Sequence, residues 1–190
     1  MTMRSLTFLI LYFIFNNAVA LAQVKMLDVF KQMPDSLFPY LTANMRLDLI
    51  DFVESGMKAE VTNELGGKSR LPKLTDNYAS IALTEASELE MRLLETEEAV
   101  DDAHQIICLV TTFGSGIKES RVDFYTVNWK QLPTEKYIVL PSAMCKLSLS
   151  EHDNTLTVLS ESRLDYPANE EQKEITETSK ILNWNKKIFK

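Results

Sequence analysis

The segment HQIICLVTTFGSGIKESRVDFYTVNW constrains the fold of this chain more than any other. Residues 106–110 are apolar at every position, which predicts a strand buried on both faces at the centre of a sheet. Residues 114–116 then predict a glycine-containing turn, after which the chain is expected to return through a second apolar segment. This return segment carries Val122, Phe124, Tyr125, Val127 and Trp129. The pattern therefore predicts an antiparallel hairpin that contains a central strand.

Two further segments alternate apolar and polar residues with the period of a β-strand. Residues 78–95 predict a hairpin, and residues 146–160 predict another around a polar turn. In the first hairpin, Glu88, Glu90 and Arg92 share the outer face of the second strand. Their polarity predicts the ordinary solvated side of a sheet.

The remaining strand signals are shorter. Residues 57–62 alternate like a strand and lead to a turn at 66–67. Residues 167–179 are highly polar, which predicts a loop or a weak helix. Residues 180–190 predict a last strand pair whose turn brings two aromatic side chains together.

Helical periodicity is confined to the front of the chain. Residues 24–31 predict a short amphipathic helix that ends before Pro34. A second helix is predicted over 42–56, with Asp48 and Asp51 on its solvated side. Its apolar stripe is predicted to consist of Met45, Leu49, Phe52, Val53 and Gly56. Short helices followed by hairpins predict an α+β fold, with N-terminal helices packed on a strongly curved or half-barrel-like, mostly antiparallel sheet.

Residues 1–22 have the pattern of a secretory signal peptide. Arg4 provides the positive start, residues 6–15 are apolar, and alanines follow at alternate positions. The apolar run is too short for the roughly 30 Å hydrocarbon core of a bilayer, so the chain is not expected to span a membrane. Cleavage is expected after Ala20 or Ala22, which predicts a periplasmic or secreted protein.

Removal of the signal peptide leaves 168 of the 190 residues, which predicts a single α+β domain over 23–190. The formal net charge is −7, and it becomes −8 when Arg4 is lost. A surface this acidic repels a phosphate backbone, so nucleic acid is excluded as a partner.

The sequence offers few groups for chemistry. Asp102 and His104 fall on one side of an extended strand, but two metal ligands are too few for a stable site. Asp48 and Asp51 lack the base or metal that a catalytic carboxylate pair needs. The Gly66-Gly67-Lys68 sequence lacks the spacing and the following helix of a phosphate loop. We therefore predict no catalytic, cofactor-binding or metal-binding residue, no cofactor, and no enzyme activity.

Cys108 and Cys145 are the only cysteines in the chain. Export to an oxidising compartment allows a disulfide between them. Their apolar neighbours instead favour two small buried hydrophobic residues. No basic neighbour is present to activate either thiol, which disfavours a catalytic role.

Five segments together resemble an exported family of unknown function from Bacteroidales bacteria. The segments are MPDSLFPYLTANMRLDLIDF, KAEVTNELGGKSRLPKLTDNY, LTEASELEMRLL, DFYTVNWKQL and ILNWNKKIF. The resemblance implies an envelope or secreted location and one domain, and it implies no known activity or site residue. In the last segment, WNKK stands where the family commonly has a glycine-containing turn.

Three functions are compatible with these features. The first is a non-catalytic envelope protein that binds another protein through a face or edge of its sheet. The second is a carrier of a lipid or other apolar ligand, and the third is a hydrolase. Methionine suits the irregular lining of a carrier cavity, although ordinary core packing is the favoured interpretation. The methionines considered for such a lining are Met33, Met45, Met57, Met91 and Met144.

Overall fold

The computed structural model describes residues 23–115, 118–140, 145–163 and 175–190. Two α-helices precede ten strands in these ranges. The helices are α1 (Met26–Gln32) and α2 (Ala43–Glu54). The strands are β1 (Glu60–Thr62), β2 (Lys68–Leu74), β3 (Tyr78–Ala82), β4 (Ser87–Val100), β5 (Ala103–Phe113), β6 (Glu119–Thr126), β7 (Gln131–Leu132), β8 (Cys145–Leu149), β9 (Thr155–Arg163) and β10 (Ile175–Asn183). A 3-10 turn at Thr134–Lys136 follows β7.

The strands form two separate sheets. The large sheet has the order β1-β2-β3-β4-β5-β6-β7, and each neighbouring pair is antiparallel. The small sheet has the order β10-β9-β8 and is also antiparallel. The predicted α+β class with a mostly antiparallel sheet is confirmed, and the last hairpins form a second, smaller sheet.

The apolar run in β5 is explained by its two covering layers. Ile107 and Leu109 face a core shared with α1 and α2, whereas Ile106, Cys108 and Val110 face a core shared with the small sheet. All five side chains are at most 1% exposed. The strand is therefore central in the way that its sequence predicts.

Several element boundaries differ from the sequence prediction. β2 is not predicted from the sequence, because Pro72 lacks a backbone donor and is disfavoured inside a strand. In the structure, Pro72 lies where the pairing of β2 with β3 shifts register between Arg70 and Lys73. β10 begins at Ile175, so the predicted loop or helix is wrong for 175–179, and 167–174 lies outside the described residues. The terminal pairing is confirmed by an antiparallel bridge between Trp184 and Phe189.

Arg46 corrects the predicted face of α2. It is only 1% exposed and lies beside Leu49 and Ile50 on the buried side of the helix, whereas Gly56 is exposed. Its Nη1 donates to Leu41 O at 2.7 Å and to the Asp35 carboxylate at 2.8 Å. Its Nη2 donates to the carbonyl of Met33. These bonds satisfy backbone groups between the two helices, so this arginine fixes the corner that joins them.

Candidate functional site

The edges of the two sheets are the places where a partner strand could add, because an edge exposes backbone donors and acceptors. Three of the four sheet edges offer an added strand few accessible backbone groups. At the ends of the large sheet, β1 has three residues and β7 has two, and Pro133 follows β7 directly. Short edges of this kind give an added strand few hydrogen bonds.

The β8 edge of the small sheet is closed by side chains from the large sheet. Leu147 N donates to Ser120 Oγ at 2.9 Å, and Leu149 N donates to Glu90 Oε2 at 2.8 Å. These are the amides on the side of β8 that faces away from β9, since Ser150 N bonds to Thr155 O on the other side. No partner strand can use them without displacing the two side chains.

The β10 edge is long and carries only one pairing in the described residues. Asn183 N donates to Lys190 O at 2.8 Å, and Lys190 N returns a bond to Asn183 O at 3.1 Å. Successive residues of a strand point their backbone groups to alternate sides, so Ser179 and Ile181 point the same way as Asn183. The described part of the chain places no hydrogen-bond partner on these two amides.

The edge strand itself carries one acidic and one basic residue, Glu177 and Lys180. Three further lysines follow it in residues 184–190. Lys186 pairs with Glu95 at 3.1 Å and Lys187 pairs with Glu97 at 2.7 Å, so both are neutralised. Lys180 is exposed. Beside it, Ile181 is 60% exposed.

A polar contact holds the small sheet against the large one and corrects a prediction. Glu90 was expected in solvent, but it accepts hydrogen bonds from Tyr78 Oη at 3.0 Å, Ser148 Oγ at 3.3 Å and Leu149 N at 2.8 Å. Burial raises the pKa of Glu90, although these donors oppose the shift. Burial also raises the pKa of Tyr78, and the negative charge of the neighbouring Glu90 carboxylate raises it further.

Arg92 makes the second part of this contact. It is 3% exposed, and its Nε donates to Asn154 Oδ1 at 2.8 Å while its Nη1 donates to Ser150 O at 2.8 Å. Burial lowers the pKa of Arg92, and a guanidinium starts high enough to stay charged at neutral pH. Glu90 and Arg92 thus fix the β8–β9 hairpin on β4. The predicted solvated face is wrong for both residues because the small sheet covers it.

The acidic pair predicted on the second helix is exposed. Asp48 and Asp51 both lie on the solvent side of α2. No group of three or more histidine, cysteine or acidic residues in the described ranges has the geometry of a metal site.

Asp102 and His104 lie near the β4–β5 turn. Asp102 has a positive φ of 64° in that turn, and His104 is exposed with its Nδ1 3.4 Å from Thr96 O. Both residues line an open cleft of about 380 Å³, together with Gln105 and Val24. Val24 N donates to Gln105 Oε1 at 2.8 Å, which fastens the start of the described chain to β5. Glu95 lines the same cleft, but its carboxylate pairs with Lys186 at 3.1 Å, and no three of these groups have the geometry of a metal site in the described ranges.

The glycine-containing turn between β1 and β2 has no free amide cradle for a phosphate. Gly66 N donates to Asn63 O at 2.9 Å, and Gly67 N donates to Asn63 Oδ1 at 3.1 Å. Asn63 is 4% exposed and its Nδ2 donates to Leu83 O at 3.1 Å. The turn folds around Asn63, and the amides of both glycines are already hydrogen-bonded to that residue.

Both cysteines are free thiols within the core between the two sheets. Cys108 is 0% exposed and Cys145 is 7% exposed. Burial raises the pKa of both thiols, which is the opposite of what a nucleophilic cysteine requires. The prediction of small buried hydrophobic residues is confirmed.

The methionines do not line a common cavity in the described residues. Met33 and Met91 are at most 1% exposed and belong to the packed core under the helices, whereas Met57 is 55% exposed. Met45 is half-buried, and Met144 lies outside the described residues. A cleft of about 620 Å³ beside the β1–β2 turn is lined in part by charged residues, namely Glu60, Lys68, Arg70 and Glu85. No observation in the described ranges favours an apolar ligand.

The architecture defines a three-layer α+β protein, with helices, a seven-stranded sheet and a three-stranded sheet. The chain belongs to the family described as protein of unknown function (DUF3256), whose model matches residues 18–164. This finding agrees with the unknown-function family that the sequence resembles, while an origin in Bacteroidales bacteria stays a prediction.

One solved structure shows the same fold. It is the structure of a domain of an uncharacterized protein from Porphyromonas gingivalis W83. The two chains are 23% identical, the match covers 87% of this chain and 96% of that one, and the TM-score is 0.71. None of the curated proteins matches this chain. Within the described ranges, neither helix is long and apolar enough to cross a bilayer.

Proposed function

We propose that this protein is a non-catalytic binding module of the cell envelope that receives a strand of another protein along β10. The open edge of β10 is the observation that carries this proposal. The outward amides of β8 are occupied by Ser120 and Glu90, whereas those of Ser179 and Ile181 on β10 are not occupied by any described residue.

Strand addition suits this edge for two physical reasons. A partner strand gains affinity from backbone hydrogen bonds and specificity from alternate side chains. The small sheet that carries this edge is also anchored on the large sheet, because Trp184 Nε1 donates to Glu95 O and Arg92 bonds to the β8–β9 hairpin. An anchored edge reduces the entropy that binding must overcome.

Photo-crosslinking in the native envelope tests the interface. A photoreactive amino acid at Ile181 is expected to attach to one defined protein, identified by mass spectrometry. Ser179→Pro removes an outward amide and is expected to abolish this product, because proline is tolerated on the open side of an edge strand but cannot donate. Ser179→Ala keeps the amide and is expected to retain the product.

Thermal melts of both Ser179 variants show whether each still folds. An unchanged crosslink in a folded Ser179→Pro variant contradicts strand addition at this edge.

Export is the second part of the proposal, and it is supported by the signal-peptide pattern of residues 1–22. N-terminal sequencing of protein purified from its native host is expected to begin at Leu21 or Gln23. Mature protein that still begins at Met1 would show that the segment is not removed and would overturn the envelope location.

A further inference from the structure

We infer that Gln23 becomes the first residue of the mature protein and cyclises to pyroglutamate, a lactam that has no α-amine. This inference rests on the export part of the proposed function, because the reaction needs the N-terminus that cleavage after Ala22 supplies. It assigns a modification site to the chain. The residue type at position 23 and the way in which the fold holds Val24 both support it.

The cleavage pattern can place a glutamine at the new N-terminus. Ala20 and Ala22 occupy alternate positions directly before Gln23, which is the small-residue pattern after which a signal peptidase cleaves. Cleavage after Ala22 leaves glutamine first, whereas cleavage after Ala20 leaves Leu21 first, and leucine has no side-chain amide to react. We therefore assign cleavage to the bond after Ala22.

The reaction at an N-terminal glutamine is an internal acyl transfer. The neutral α-amine attacks Cδ of its own side-chain carboxamide, so that a bond forms between the α-nitrogen and Cδ while the bond between Cδ and Nε2 breaks. Nε2 leaves as ammonia with the proton that the amine gives up, and no oxidant, reductant or co-reactant is consumed. An α-amino group has an ordinary pKa of about 7.7–8.0, so an appreciable fraction is neutral and nucleophilic near neutral pH.

The fold holds Val24 and leaves the residue before it in solvent. Val24 N donates to Gln105 Oε1 at 2.8 Å, and Gln105 Nε2 donates to Val24 O at 3.5 Å. Gln105 is 6% exposed, whereas Gln23 is exposed and lines the cleft of about 380 Å³ beside the β4–β5 turn. The lactam keeps the carbonyl of residue 23 and the amide of Val24, so both bonds to Gln105 survive the reaction.

The charged groups of this cleft oppose the reaction only weakly. Glu95 and Asp102 line it together with His104, and a carboxylate favours the protonated amine, which is not nucleophilic. Glu95 is already paired with Lys186 at 3.1 Å, and Asp102 is exposed, so salt and water screen its charge. Water at the exposed residue can also carry the proton from the amine to the leaving ammonia.

The lactam protects a short N-terminal anchor. Chain termini stay ordered only where they are tied down, and here the tie to β5 is made by the second residue of the mature chain. The next described backbone bond is that of Met26 N to Asp76 O at 2.7 Å, where α1 begins. An aminopeptidase that removed Gln23 and Val24 would remove the bonds to Gln105. A terminus without an α-amine offers such an enzyme no ammonium group to bind.

Mass spectrometry of protein purified from the native envelope tests the modification. The intact mass is expected to equal that of residues 23–190 less one ammonia, and fragmentation of the N-terminal peptide is expected to place the loss on residue 23. An isotope-labelled peptide QVKMLDVF with a free amine, added at lysis, is expected to stay largely open during preparation. Gln23→Ala is the matched control and is expected to be exported with a free α-amine.

The outcomes separate this inference from the proposed function. A lactam on residue 23 of the protein, with the added peptide still open, supports the modification. Mature protein with an open Gln23, or protein that begins at Leu21, overturns the modification and leaves export intact. Equal conversion of the added peptide would attribute the lactam to handling and would also overturn it. Protein that begins at Met1 overturns both export and the modification, while strand addition at β10 is tested separately by the Ile181 crosslink.

Discussion

The two faces of the large sheet are covered by layers that attach in different ways. On the helix side, the core against β4 and β5 consists of apolar side chains such as Leu89, Met91 and Ile107. Hydrogen bonds lie at its margins, where Trp129 Nε1 donates to Val29 O and Val24 N donates to Gln105 Oε1. On the small-sheet side, an apolar core is accompanied by Glu90 and Arg92, which bond to the β8–β9 hairpin. Apolar burial is non-directional and supplies stability, whereas the buried hydrogen bonds fix where the small sheet lies.

The largest effect is expected from a charge placed on the helix side. Ile107→Asp puts a carboxylate at a fully buried position without a partner, at a cost of several kcal/mol, and is expected to prevent folding. Ile181→Asp is the matched control, because Ile181 is 60% exposed, and it is expected to fold. Circular dichroism and thermal melts check both. A soluble Ile107→Asp protein with a cooperative melt would show that this face is not sealed by apolar contacts.

A smaller effect is expected from removing a polar contact on the other face. Arg92→Met keeps the length of the side chain but leaves Ser150 O and Asn154 Oδ1 without their donors. The expected loss of unfolding free energy is about 1–3 kcal/mol, measured by denaturant melts. Faster amide exchange is expected in the β8–β9 hairpin.

Arg70→Met is the control for this variant. Arg70 is exposed on β2, so a loss within about 1 kcal/mol is expected. Equal losses in the two arginine variants would mean that the contact made by Arg92 does not hold the sheets together.

The pH dependence of stability isolates Glu90. Burial raises its pKa above the ordinary value of 4.5, so the folded protein binds this proton more tightly than the unfolded chain does. Its contribution to stability is therefore present below pH 4.5 and is lost as the pH rises through the raised pKa. Glu90→Gln is expected to flatten the decline in unfolding free energy that the parent protein shows as the pH rises above 4.5. Glu98→Gln at an exposed position is expected to keep the parental slope, and equal slopes in all three proteins contradict the assignment.

The same difference between the faces explains what the sequence could predict. Apolar alternation predicts hairpins because burial of one face sets the period of two, and β5 was recognisable because both of its faces are apolar. Alternation does not reveal what covers a polar face. Glu90 and Arg92 therefore had the pattern of a solvated surface, although the small sheet lies over them. Arg46 in α2 was hidden for the same reason, since a charged residue within a helix is usually exposed.

The sequence predicts that a face or edge of the sheet binds a partner, but it does not predict which strand forms that edge. A sheet edge is a general place for a partner, but the identity of an edge strand depends on which strands pair in the folded protein. The polar sequence before Ser179 also has little strand character, so β10 was expected to begin only at Lys180. The hydrogen bonds from Ser120 and Glu90 to β8 join residues far apart in the chain, and no local pattern encodes them.

The smallest effect is expected from the acidic side of α2. If apolar burial supplies most of the stability of the helix layer, removing surface charge from the helices should change little. Asp48→Asn combined with Asp51→Asn is expected to alter the unfolding free energy by no more than about 1 kcal/mol, because both residues are exposed. Leu49→Ala, between them in sequence but 0% exposed, is expected to cost about 2–5 kcal/mol.

Denaturant melts compare these two variants directly. A double asparagine variant as unstable as Leu49→Ala would mean that the helix layer also depends on charged contacts, and the two faces would then attach in the same way. A double variant that is fully stable but loses its partner in the native envelope would instead assign the acidic side of α2 to binding.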